Sequence, residues 1–384
     1  MTYLIFFMFT TIIIFIIILS ILVFAHELGH FVTAKKFGLM PKEFGFGFPP
    51  RLGGAYKNQD GKWRWKWGGG PVRGATSTIY SLNWLPLGGF VNIGEEDENV
   101  GDDPKHFKNQ KPWKRGVILT AGVFMNLVLA AIFFAVGFMV GLPQTLDDIG
   151  AGARVEDQNI QIMQVLPDSP AAKAGLKIGD IIFSVAGREF KTHGQLSEFT
   201  AAQSGQNLEY IIKRGEDTLN LTITPEPISL NSDIPGIGVS VAETGLVSYS
   251  WYRAIWEGIK TTVFLSWYII AAFAALLKNL FMGQGAAADI AGPIGIAVIT
   301  GQVAQLGFVY ILQFAAILSI NLAIINYFPF PALDGGRVLF LIIEKLRGRP
   351  VPERIENILH NVGFTLLMLL VLLVTFRDVF KLIK

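Results

Sequence analysis

The 384-residue chain contains no cysteine, which excludes disulfides, thiol catalysis and cysteine metal sites and leaves the redox compartment open. Any metal ligands must then come from His, Asp or Glu. Charge is scarce as well: 16% of residues are charged, against about 25% in soluble domains. With 51% hydrophobic residues, the composition points to a membrane protein before any motif is read. The net charge of +2 gives no reason to expect an acidic or nucleic-acid partner.

The apolar residues gather in runs. Residues 3–24 carry no formal charge and are long enough for a spanning helix. They lack a basic n-region and a small-residue cleavage site, so the run is expected to be retained. Residues 116–142, 306–330 and 357–376 form three further spans. A shorter run, 261–277, precedes Lys278 and a Gly/Ala-rich stretch, and is expected to lie in the interface or to be partly embedded. Basic residues set the orientation. Residues 37–115 hold twelve Lys and Arg, and Lys345, Arg347, Arg349 and Arg354 lie between the last two spans; both loops are expected on the cytoplasmic side. Residues 141–250, with seven basic and fourteen acidic residues, are expected on the opposite side.

His26-Glu27-Leu28-Gly29-His30 is an HExxH pattern at the end of the first span. On a helix the two imidazoles lie about 40° apart, one turn along, and can share one Zn²⁺. Glu27 is close enough to act on a water at that metal. Ionisable residues at membrane depth are costly and usually functional, which outweighs a merely polar helix end. Zinc needs a third protein ligand and an open position. The best candidate is Asp334, in Asn326-Tyr327-Phe328-Pro329-Phe330-Pro331-Ala332-Leu333-Asp334-Gly335-Gly336, because topology puts it at the depth of the histidines. Pro329 and Pro331 remove two backbone donors and break the helix, which is tolerated where the break is buried in protein or lines a wet cavity. His106 reads as solvated, His193 as a surface residue, and His360 as a polar interfacial residue.

Together these residues resemble the site-2 protease family of intramembrane zinc metalloproteases, in the bacterial regulator-of-sigma-E branch. The likeness extends to Glu43-Phe44-Gly45-Phe46-Gly47 and Leu85-Pro86-Leu87-Gly88-Gly89-Phe90, which resemble the family's membrane-associated β-loop. Ala121-Gly122-Val123-Phe124-Met125-Asn126 resembles its second-span pattern, with Val123 where the family usually has Pro. The resemblance implies that His26, His30 and Asp334 bind zinc and that Glu27 is the catalytic base. It also implies that Asn326, with Pro329 and Pro331, holds the substrate or the broken helix.

Between the second and third spans the composition changes. Ile160-Gln161-Ile162-Met163-Gln164-Val165 and Leu219-Asn220-Leu221-Thr222-Ile223-Thr224 alternate as strands do. Residues 169–182 resemble the helix-turn-strand signature of bacterial PDZ domains, which bind an extended peptide as an added strand, often by its C-terminus. Trp63-Arg64-Trp65-Lys66-Trp67 alternates aromatic with basic residues, a strand suited to lipid headgroups; single-stranded nucleic acid is a poor fit beside a membrane span.

The expected architecture is therefore membrane α-helical, with about four transmembrane helices, a membrane-associated β-loop and an inserted α+β PDZ domain. Its parts run 1–37 (first span with HExxH), 38–115 (cytoplasmic-side loop with β-hairpin), 116–142 (second span), 150–243 (PDZ domain, extracytoplasmic), 250–300 (interfacial or partly embedded helices), 306–335 (third span with the broken helix) and 357–376 (fourth span). The resemblance implies an intramembrane zinc endopeptidase in a bacterial inner membrane, its active site near the cytoplasmic face. Its substrates would be single-pass membrane proteins, such as anti-sigma factors or signal-peptide remnants, already cut outside. A catalytically inactive PDZ-bearing adaptor or chaperone is the alternative, but it has no need of Glu27. A transporter using the same ionisable groups is disfavoured by the lack of paired hydrophobic halves.

Overall fold

A computed structural model describes residues 2–94, 103, 105–147, 149–215, 217–229, 232–283 and 292–383. The chain forms two compact units, residues 135–254 and the two flanking segments together.

The flanking unit opens with helix α1 (Thr2–Lys36), followed by strands β1 (Glu43–Lys57), β2 (Trp63–Trp67) and β3 (Ile79–Asn92), a 3-10 turn at Phe107–Asn109, and α2 (Pro112–Val140). Among the described residues, five helices are long and apolar enough, by length and composition, to cross a membrane: Phe9–Lys36, Pro112–Val140, Trp251–Asn279, Phe308–Tyr327 and Glu353–Lys381. The third is one more than the four spans read from hydropathy. The apolar window at 261–277 is only the middle of a helix that also takes in mixed-polarity turns on both sides. Trp256, Phe264, Trp267 and Tyr268 stand exposed along it, an apolar surface that suits lipid.

Close backbone approach holds the helices of this unit together. A Cβ built on Gly29 would lie 2.3 Å from the Ala121 carbonyl oxygen, so α1 and α2 cross where only glycine fits. Ile18 and Leu22 of α1 pack with Leu129 of α2 and with Ile311, Ala315 and Leu322 further along the chain.

The small sheet has the order β2-β1-β3. Its register is unusual, because β1 uses β3 twice: residues 43–46 pair with 89–92 and also with 79–82, while 53–55 pair with 80–82. The β3 end of the sheet is seated on α1. The Ser20 hydroxyl donates to the Pro86 carbonyl at 2.7 Å and accepts from the Gly88 N–H at 3.2 Å, and Phe24 packs against Phe44 with ring centroids 5.3 Å apart.

The inserted unit contains β4 (Leu142–Thr145), β5 (Arg154–Val165), α3 (Pro170–Lys173), β6 (Ile181–Val185), α4 (His193–Ala202), β7 (Leu208–Arg214), β8 (Asp217–Ile223), β9 (Glu226–Ser229), β10 (Ser232–Gly236) and β11 (Val239–Ser248). Six of these strands make one sheet, ordered β4-β11-β5-β6-β7-β8. The alternation read from sequence has the expected outcome. Ile160, Ile162, Ile182, Tyr210, Ile212 and Ile223 turn inward onto Ala171 and Leu196 of the helices, forming the core. Ser169 caps α3 by accepting from the Ala172 N–H at 3.2 Å, and Pro170 starts the helix without losing a bond. The Asp180 carboxylate, 1% exposed, takes both Nε and Nη2 of Arg214 at 2.7 Å and the Lys177 N–H at 2.8 Å. Burial alone would raise its pKa, but these donors hold the carboxyl below the usual carboxylate range.

The chain then forms α5 (Trp251–Phe281), α6 (Pro293–Leu306), α7 (Phe308–Tyr327), α8 (Asp334–Arg347) and α9 (Glu353–Ile383). Gly307 divides α6 from α7 at φ 113°, a conformation that favours glycine. The Pro-rich segment folds sharply between α7 and α8. Cβ atoms on Gly335 and Gly336 would lie 2.2 Å from the Tyr327 oxygen and 2.3 Å from the Phe330 oxygen, so both must be glycine for the chain to turn back on itself.

Candidate metal centre

The HExxH residues sit on a continuous stretch of α1, with both histidines 6% exposed. Helical spacing sets their rings one turn apart, with centroids 4.7 Å apart and planes at 81°. The fold at the end of α7 delivers Asp334, the first residue of α8, between them. Asp334 Oδ2 lies 2.9 Å from His26 Nε2 and 3.3 Å from His30 Nε2, and the two Nε2 atoms are 3.1 Å apart. One donor atom from each residue falls within 4.8 Å of the others; among the described residues this is the one such group. Its position at a helix N-terminus is also favourable for the Asp334 carboxylate.

Helix α2 backs the pair. A Cβ on Gly122 would meet His30 Nε2 at 2.3 Å and His26 Cε1 at 2.8 Å, so this glycine leaves the space the imidazoles fill. The Ile118 carbonyl lies 2.8 Å from His30 Nδ1. That contact requires a proton on Nδ1 and leaves the Nε2 lone pair for a ligand. Glu27 Oε2 accepts from the Val91 N–H at 3.0 Å, so the sheet edge fixes the carboxylate's direction. A cavity of about 210 Å³ opens beside these groups, lined by Val23, Leu322, Asn326, Ala332 and Leu333 together with His26, Glu27 and Asp334.

Asn326 thus reaches the site cavity. Pro329 is exposed and does not line it. Pro331 packs instead against Gly363, where a Cβ would lie 2.5 Å from its carbonyl oxygen. His360 accepts the Ala332 N–H on Nδ1 at 2.9 Å, bracing the loop two residues before Asp334. His106 accepts from the Lys108 N–H at 3.3 Å. His193 pairs with Glu243 at 3.0 Å on the surface of the inserted unit. Sequence reasoning missed Gly122 and His360. The four-residue spacing of Gly122 and Asn126, which puts both on one face of α2, was the available signal.

The family model described as peptidase family M50 matches residues 14–370. This chain belongs to the M50 peptidases. A Clostridium perfringens protein named "putative zinc metalloprotease" is 33% identical over 92% of this chain and 94% of its own length. "Zinc metalloprotease RasP" of Geobacillus kaustophilus is 29% identical over 93% and 94%. The crystal structure of the PDZ domain of an SdrC-like protein from Listeria monocytogenes is similar over 23% of this chain and 92% of its own, with 26% identity and a TM-score of 0.21. The M50 peptidase is a metalloprotease of the site-2 type, and its long apolar helices make it a membrane protein.

Proposed function

We propose that the M50 peptidase is a zinc endopeptidase that cuts single-pass membrane proteins within or at the edge of the bilayer. His26, His30 and Asp334 hold the metal and Glu27 serves as general base. The observation that carries this reading is the convergence of the three donor atoms from α1 and α8. The donor set suits zinc: two imidazole nitrogens and one carboxylate oxygen, as in His₂-carboxylate peptidases, with the adjoining cavity leaving an open side. Zinc bound there would supply Lewis acidity toward the scissile carbonyl and acidify a water.

The chain's own residues do the rest. Glu27, held by the Val91 N–H, takes a proton from the attacking water and delivers it to the departing amine. Asn326 faces the same cavity and holds the substrate backbone there. A spanning helix hides its peptide bonds in its own hydrogen-bond ladder, so cleavage requires unwinding. The sheet seated on α1 offers an edge on which the unwound segment can pair. The bias of Lys and Arg toward residues 37–115 and the loop before the last span supports an orientation with the metal centre toward the cytoplasm of a bacterial inner membrane and the PDZ-like unit outside. That unit binds peptide C-termini or excludes bulky ectodomains, so that only substrates already trimmed outside, such as anti-sigma factors or signal-peptide remnants, reach the site.

Cleavage of a reporter transmembrane segment by the unaltered protein and by E27Q tests the reading. E27Q is expected to keep its zinc and to lose about 10²–10⁴-fold in rate, the usual contribution of a general base. Equal cleavage by both proteins would overturn it.

A further inference from the structure

One buried side chain at the metal centre has no place in the chemistry above. Asn126 of α2 is 0% exposed. Its Nδ2 lies 3.4 Å from His26 Nδ1, and its Oδ1 is buried with no hydrogen-bond partner. His26 Nε2 already points to Asp334 and His30, so Nδ1 is the one ring nitrogen left to set the tautomer. With the amide oriented NH₂-first, Nδ1 must accept, which puts the ring proton on Nε2 and blocks that atom as a ligand. Oxygen and nitrogen of an amide are told apart only by their network. Turning the amide by 180° aims Oδ1 at an Nδ1–H and moves the NH₂ to the place of the orphaned oxygen. The Nε2 lone pair then faces the metal position.

The two histidines would in this way be governed alike: His30 by the Ile118 carbonyl and His26 by the Asn126 amide oxygen, both from α2 and two helical turns apart. Resting on the zinc reading above, we propose that Asn126 is a positioning residue. Its amide oxygen accepts the His26 Nδ1 proton and fixes the tautomer and ring direction in which Nε2 can ligate zinc. Loss of such an outer partner typically weakens metal binding 10–100-fold.

The backbone carbonyl of Asn126, and not its side chain, receives the Ser319 hydroxyl at 2.8 Å, so side-chain substitutions leave that tie between α2 and α7 intact. The test measures zinc affinity of the full chain in detergent by chelator competition, together with the visible spectrum of the cobalt(II) form and the thermal midpoint of the metal-free protein. N126L, similar in size but with no acceptor, is expected to bind zinc about 10–100-fold more weakly and to give an altered cobalt spectrum. N126D, which accepts from Nδ1–H, is expected to stay within about threefold of the unaltered chain, because it supplies the same outer-shell contact. Should N126L fail to fold, N126A carries the same expectation. N126L binding zinc as tightly as the unaltered chain, or N126D weakened as much as N126L with both folded, would overturn the proposal. If the unaltered chain binds no zinc that H26A abolishes, the zinc reading itself falls and this inference with it.

Discussion

Gly122 of α2 lies so close to His30 of α1 that a single added carbon would sit 2.3 Å from the imidazole Nε2. The proposed metal centre is therefore shaped as much by an absent side chain as by those present. In G122A, the new methyl group must displace both imidazoles or push α2 away. Alanine is the better helix former by about 1 kcal/mol, so α2 itself is not weakened. The expected outcome is a protein that folds at least as well by helical circular dichroism, yet retains little zinc after dialysis and cleaves a reporter segment poorly. Full zinc retention by G122A would show that the ligands do not occupy the space this glycine leaves.

Behind Asp334 the loop is braced by His360, whose Nδ1 accepts from the Ala332 N–H at 2.9 Å. Ala332 itself sits at φ 81°, a conformation a non-glycine residue adopts only when its surroundings hold it there. H360A removes the acceptor and leaves a partly buried donor unpaired, which costs about 1–3 kcal/mol. A lower thermal midpoint and weaker zinc binding are expected together. H360N, whose Oδ1 can stand in for Nδ1, should recover most of both. Equal losses in the two variants would assign His360 to packing and not to the hydrogen bond.

How much of this could be read from the sequence differs by element. The grouping of His26, His30 and Asp334 was legible because one spacing is helical and the other residue is tied to it by membrane depth. The strands of the inserted unit were legible through their two-residue alternation, since one face of each meets a core. Helix α5 was not, because its ends are amphipathic and fall outside an apolar window. Nor was the double pairing of β3 with β1, in which one strand serves two partners without any change in composition. The roles of Gly122 and His360 stayed hidden for a similar reason: each depends on which distant segment packs opposite it, and the four-residue spacing of Gly122 and Asn126 marks a shared face of α2 without saying what meets that face.

In the inserted unit the Asp180–Arg214 pair gives a pH dependence of definite sign. The Asp180 carboxyl titrates below its usual range in the folded state. An acid with a depressed folded pKa adds stability that is fully present above its unfolded value, about pH 4, and is lost as the pH falls through the folded value. Protection factors of β6 and β7 amides, taken relative to intrinsic exchange at each pH, should therefore fall below about pH 4 in the unaltered chain. D180N removes the charge but keeps the shape. It is expected to lose about 1–3 kcal/mol of protection at neutral pH, since Arg214 is partly exposed and recovers some solvation. It should also show a flatter acid limb. A limb as steep in D180N as in the unaltered chain would place the titration elsewhere.

Two glycines near α8 make opposite forecasts. Gly335 adjoins Asp334 and faces backbone on both sides, with the Tyr327 and Phe328 oxygens 2.2 and 2.3 Å from where a Cβ would be. Backbone cannot rotate away as a flexible side chain can, so G335A must open the turn that carries Asp334 to the histidines. Gly348 caps the other end of the same helix at φ 69°, with no atom within 4 Å of its would-be Cβ. G348A meets only the left-handed backbone penalty, about 1 kcal/mol, at a point a helix length away from Asp334. Zinc content after gel filtration is expected to fall to a small fraction in G335A and to stay stoichiometric in G348A. If both variants kept their zinc, Asp334 could not depend on this turn for its position, and the third ligand would have to be sought elsewhere.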